Sequence, residues 1–161
     1  MHELPTGLAL FARFPASWDH IEPLRQYAEL SIKTRTDDAT ADKTNIVVQE
    51  LLENAIKYAE PKSEVELEIS IARTTFDVCV RNTAAPSRLT ILQREFQRVT
   101  GDTARDSFNR ALQRLQRLPA GTSMLGLSRV AMEAALQLEI EGERVTITAR
   151  MDLPINPKPK R

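Results

Sequence analysis

Residues 45–59 read NIVVQELLENAIKYA, and this stretch decides the fold. At 3.6 residues per turn, Val48, Leu51, Leu52, Ala55, Ile56 and Ala59 fall on one apolar arc, which predicts a helix lying on a core. Glu50, Asn54 and Lys57 follow at i, i+4 and i+7 and form a polar stripe on the opposite side. On spacing alone such a stripe reads most simply as a solvated helix face. A carboxylate, a carboxamide and an ammonium in one row are also the groups that handle a phosphate and a hard cation.

Outward from this helix, the chain divides without an internal repeat or a change of composition. Gly7–Phe14 is short, apolar and followed by Pro15, which predicts a first strand. Ser17 or Asp19 would cap a helix starting near Trp18 and running to about Lys33, with Ile21, Leu24, Ala28 and Leu30 at helical spacing and Pro23 in its first turn. The polar stretch Thr34–Lys43 reads as a connection, with Asp38, Thr40 or Asp42 as N-caps for the central helix and Pro61 as its stop.

Glu64–Ile71 alternates strictly, with Val65, Leu67, Ile69 and Ile71 inward, and Phe76, Val78 and Val80 supply an antiparallel partner. Residues 88–118 are helical in pattern, broken at Thr100-Gly101-Asp102, and hold seven arginines against three acidic residues. Those arginines read first as solvated helix surface, and second as a lid facing an anion or a partner. Gly121–Leu127 leads into a helix over Leu127–Leu136, and glycines before a helix let backbone N–H groups converge on a phosphate. Two alternating strands close the fold, hinged at Glu141-Gly142-Glu143, and the proline-rich basic residues 154–161 read as a disordered tail after a single domain, 1–153.

That order can bury its apolar surface only if the helices collect on one face of a mixed, mostly antiparallel sheet, an α/β (α+β) two-layer sandwich. Composition bounds the rest. At 161 residues the chain can bury a proper core, and 22 basic residues balance 22 acidic ones. The neutral balance gives no pull toward nucleic acid or anionic membrane. One cysteine, Cys79, and two distant histidines build neither an intrachain disulfide nor a metal cluster. With no bilayer-length apolar run and no signal-like N-terminus, a cytoplasmic protein is expected.

Glu50–Tyr58, ELLENAIKY, resembles the N box of the Bergerat-fold (GHKL) ATPases, the superfamily of sensor histidine kinases, anti-sigma-factor serine kinases, gyrase-type topoisomerases and a chaperone family. The element order is similar to that domain over nearly the whole chain, closest in flavour to the small anti-sigma-factor serine/threonine kinases of bacterial partner-switching systems. The resemblance implies that Glu50 is the base activating a hydroxyl, that Asn54 coordinates magnesium, and that Lys57 neutralises phosphate charge. Gly126 and Leu127 stand where the family has the last glycine and leucine of its second glycine box, although residues 121–125 lack the family's glycine density.

The first glycine box departs from the family. An aspartate that accepts a hydrogen bond from adenine is replaced by Asn82, and both glycines of Asp-x-Gly-x-Gly are lost in Arg81-Asn82-Thr83-Ala84-Ala85-Pro86. A carboxamide oxygen is a weaker acceptor than a carboxylate, and alanine and proline resist a positive-φ loop. The departure counts against ATP and magnesium binding, and more heavily against turnover.

Two classes of function follow. One is a nucleotide-binding signal-transduction regulator, extending to an ATP- and magnesium-dependent serine/threonine kinase acting on a small partner such as a STAS-domain antagonist or a sigma-like factor. The other is a degenerate domain that regulates partners by contact, without ATP. An ordinary α/β domain with a chance N box is a third. Neither of the first two implies nucleic acid or membrane, and the resemblance implies a homodimer through the strand and helix of Gly7–Lys33.

Overall fold

A computed structural model describes residues 7–101 and 126–153 of the chain. The elements are β1 (Gly7–Pro15), a 3₁₀ turn (Trp18–His20), α1 (Ile21–Lys33), α2 (Asp38–Tyr58), β2 (Glu64–Ile71), β3 (Thr75–Thr83), α3 (Pro86–Gly101), α4 (Gly126–Glu133), β4 (Ala135–Glu141) and β5 (Arg144–Asp152). The strands form one sheet in the order β1-β2-β3-β5-β4, and all four pairings are antiparallel. The helices lie against one face of that sheet, giving the expected two-layer α+β sandwich. No described helix is long and apolar enough to cross a membrane. The arginine-rich residues 102–118, the glycine-bearing segment 121–125 and the tail 154–161 lie outside the described residues.

The core is the layer between α2 and the inner sheet face. Val48, Leu51 and Leu52 on α2 meet Val65, Leu67 and Ile69 on β2 and Phe76, Val78 and Val80 on β3, all buried. The strict alternation of β2 makes this work, because a one-residue slip would turn every one of those side chains to water. The other face carries a lattice of charges. Glu66 pairs with Arg13 at 2.8 Å and with Arg144 at 3.5 Å, Glu68 pairs with Arg81 at 3.1 Å, and Asp77 pairs with Arg150 at 2.8 Å. Cys79 projects into this outer face, where its neighbours cover it and burial pushes the thiol pKa up.

Three details differ from the sequence reading. Helix α2 starts earlier than expected, at Asp38, because Asp37 adopts an extended conformation and its Oδ1 accepts the Thr40 N–H at 2.8 Å. Its first turns also bury Ala41 and Thr44, so part of the stretch read as a polar connection is core. On α1, Ile32 is buried while Leu30 is 62% exposed, since the face set by Ile21 and Ala28 reaches Ile32 at i+4 from Ala28 and passes Leu30 by. In β1 the register shifts between Leu8 and Leu10: Leu8 is opposite Ser70, whereas Leu10 is opposite Ile69. This bulge puts both Leu8 and Phe11 on the outer side, 64% and 46% exposed, while Leu10 and Phe14 enter the core.

Candidate functional site

Helix α2 covers the sheet with its apolar side, and α4 packs along its flank. The polar stripe therefore does not face open water along its whole length. Glu50 is only 7% exposed, Asn54 is half-buried, and Lys57 is exposed at the far end. The solvated-face reading fails at Glu50 because α4 covers it.

Three of the candidate residues converge here. Gly126 opens α4 with its Cα directed at the stripe: a Cβ in its place would lie 2.9 Å from Glu50 Oε2 and 3.2 Å from Asn54 Nδ2. Both separations are shorter than ordinary van der Waals contact, so any larger residue here would have to displace the Glu50 carboxylate and the Asn54 carboxamide. Leu127 follows and is buried in the core, where with Val130 it anchors α4. Arg129, one turn into α4, donates from Nη1 to Glu50 Oε1 at 3.0 Å. Burial raises the pKa of Glu50, with the charge of Glu53 adding to it, and the guanidinium of Arg129 pulls it back down.

Asn54 and Asn82 share an unusual condition. The Nδ2 of each is buried and, among the described residues, lacks a hydrogen-bond partner. Buried polar nitrogens are almost always paired, so an orphaned carboxamide donor suits a partner supplied from outside the chain. Asn82 sits on β3 in the inward row with Val78 and Val80, opposite Val65 and Val145, and is 6% exposed. Lys57 lies apart from the Glu50–Asn54–Gly126 cluster, its Nζ 5.3 Å from the Tyr58 ring centroid.

The departure at the first glycine box has a structural counterpart. Ala84 is fully buried, bridges to Ala59 at the end of α2, and donates its N–H to the carbonyl of Glu143 at 2.9 Å. Arg88 and Leu89 donate to the carbonyl of Ala85, and α3 begins at Pro86, a position where proline is at home. None of residues 84–86 has positive φ. The chain passes directly from strand to helix where the family has a glycine loop.

Arg129 went unread in the sequence. Its one signal was a position on the same helix as Gly126, two residues past Leu127, with a cation where the helix turns toward α2.

The family model of the histidine kinase-like ATPase domain matches residues 14–122, from the end of β1 past α3, including the ELLENAIKY stretch. A solved structure described as "The crystal structure of SiaB-SiaC complex from Pseudomonas aeruginosa" contains a chain similar in fold, with a TM-score of 0.65 and 17% identity, covering 91% of each chain. No curated protein matches the chain. With the match spanning more than half of its length, and a buried N-box glutamate and half-buried asparagine meeting a helix-opening glycine, the chain belongs to the histidine kinase-like ATPase domain family.

Proposed function

We propose that this protein is a cytoplasmic nucleotide-binding regulator in a bacterial signalling system of the partner-switching type, with ATP and magnesium at the α2–α4 junction. The observation that carries the reading is the Asn54 Nδ2, buried and without a partner among the described residues, beside a glycine whose Cβ would crowd Glu50 and Asn54. Asn54 would hold the magnesium through its carboxamide oxygen while its amide donates to a phosphate oxygen. Asn82 would meet the base with a neutral carboxamide, Gly126 would let the phosphates approach backbone at the start of α4, and Lys57 would meet phosphate charge from the exposed end. Bound magnesium would supply charge neutralisation of the phosphates.

In its furthest form this proposal makes the protein a serine/threonine kinase, with Glu50 taking the proton of the acceptor hydroxyl; burial of that carboxylate favours a base of raised pKa. The partner would be a small regulatory protein such as a STAS-domain antagonist or a sigma-like factor. Support for a protein partner comes from the similarity in fold to a chain of the SiaB–SiaC complex. The same proposal includes a homodimer through Gly7–Lys33, where β1 is an edge strand with Leu8 and Phe11 exposed.

A contact-only regulator without ATP is the second reading, and the buried Ala84 and the direct strand-to-helix passage at Ala85-Pro86 favour it. Calorimetry with ATP, with and without magnesium, separates the two. Magnesium-dependent binding by the wild type that Asn54→Ala abolishes is the expected outcome. A folded chain that binds no ATP at millimolar concentration would establish the contact-only regulator instead.

A further inference from the structure

Arg129 belongs to none of the motif positions, yet it makes the side-chain hydrogen bond to Glu50. The pair straddles the boundary of the protein. The Glu50 side chain is 9% exposed and fixed between two helices, whereas the Arg129 side chain is 45% exposed. A guanidinium carries five N–H donors in a rigid fork, and here one of its nitrogens, Nη1, is committed to a single carboxylate oxygen. The other carboxylate oxygen lies against Gly126, on the side where Asn54 Nδ2 is orphaned.

Charge decides what happens when a polyanion arrives. A half-exposed arginine paired through one contact to one carboxylate is held only modestly, because water screens the attraction. Phosphate oxygens offer more charge and a geometry that matches the fork in two bonds. Arg129 stands in the first turn of α4, three residues after Gly126, and its long side chain is the exposed partner of the pair. Glu50 has no such freedom.

Resting on the nucleotide site proposed above, we propose that Arg129 is a phosphate-responsive cation: it pairs with Glu50 while no phosphate is present and transfers to the phosphate oxygens of bound ATP. The transfer leaves the Glu50 carboxylate unpaired only once nucleotide is in place. Arg129 is thus a nucleotide-binding residue that the N-box pattern does not contain, and it couples occupancy of the site to release of the candidate base.

Calorimetry on the full chain tests this with Mg·ATP and with adenosine, on wild type, Glu50→Gln, Arg129→Gln and the double variant. In the Glu50→Gln background there is no carboxylate for Arg129 to hold. Adding Arg129→Gln there should weaken ATP about tenfold, the loss of one charge-assisted contact, or about 1.4 kcal/mol, and leave adenosine affinity unchanged. Glu50→Gln alone should tighten ATP, because it frees the guanidinium. Arg129→Lys, which keeps the charge and loses the fork, should recover part of the affinity.

Unchanged ATP affinity on adding Arg129→Gln to Glu50→Gln would overturn the proposal, leaving Arg129 as a fixed partner of Glu50. Parallel loss of ATP and adenosine would overturn it too, as a purely structural effect. Failure of the folded wild type to bind ATP is a separate result, read in the first titration, and removes the nucleotide site itself.

Discussion

At the scale of single residues, Gly126 has the most constrained position in the site. The constraint is space: its φ is not positive, but a methyl group would sit 2.9 Å from Glu50 Oε2. Glu50 cannot yield freely, since its other oxygen is bonded to Arg129 and the residue is 7% exposed. Alanine is otherwise the better helix former, although at the first residue of α4 its advantage is smaller than the roughly 1 kcal/mol of a helix interior. The two effects act on different observables. Gly126→Ala should leave the melting temperature within a few degrees of wild type, because propensity offsets part of the crowding. It should weaken ATP by at least about tenfold, because the displaced carboxylate and carboxamide are the proposed ligand-facing groups. Thermal unfolding and calorimetry on the same samples check both, and a variant that binds as wild type would show that Gly126 only serves packing.

Individual elements are specified by their ends as much as by their faces. Asp37 caps α2 through Thr40, whose hydroxyl first and backbone N–H second hold its carboxyl below the ordinary aspartate value. A depressed folded-state pKa means the stabilisation is present above the ordinary aspartate pKa and is lost as pH falls through the lowered folded value. Asp37→Ala should therefore lower the melting temperature at neutral pH, and the gap to wild type should close as pH drops below the aspartate range. Melts across pH 2–7 test this (a window around the ordinary aspartate pKa of about 3.9), and a constant gap would show that the charge is not the cause.

Elements are also where the sequence was most and least legible. The apolar arc of α2 and the alternation of β2 were readable because each repeats one period over several residues. The α2 start is not decided by the sequence, because Asp37 and Asp38 are equally good caps by type and only backbone geometry chooses between them. Leu30 reads as inward by its apolar character, but the buried face follows Ile21, Ala28 and Ile32 and leaves Leu30 exposed. The β1 bulge leaves no local sequence signal, since it is imposed by pairing with β2. In the site, Glu50, Asn54 and Gly126 were legible through the motif, whereas Arg129 becomes meaningful only when α4 is laid against α2.

Across the whole molecule, the sheet has one face under helices and one open to solvent, with β1 and β4 at its two edges. The open face is mostly a lattice of paired charges, which blunts association there. Its apolar exception lies at the β1 edge, at Leu8 and Phe11. An edge strand with apolar outward residues is a template for strand pairing. Light scattering should give a dimer mass for the wild type and a monomer for the Leu8→Lys, Phe11→Lys double variant. A monomeric wild type would remove self-association from the proposal.

The passage at Ala84-Ala85-Pro86 bears on any attempt to give this protein the family's glycine loop. Ala84→Gly alone would empty a fully packed methyl site at the strand end tied to Ala59 and Glu143, and would loosen a backbone that is now well fixed. Pro86→Gly alone would take away the residue that opens α3 with its φ already set. Each first step descends in stability before a glycine loop exists to give anything in return. An engineer walking back toward the family pattern one substitution at a time would have to cross a valley, and the packing at Ala84 is what makes it deep.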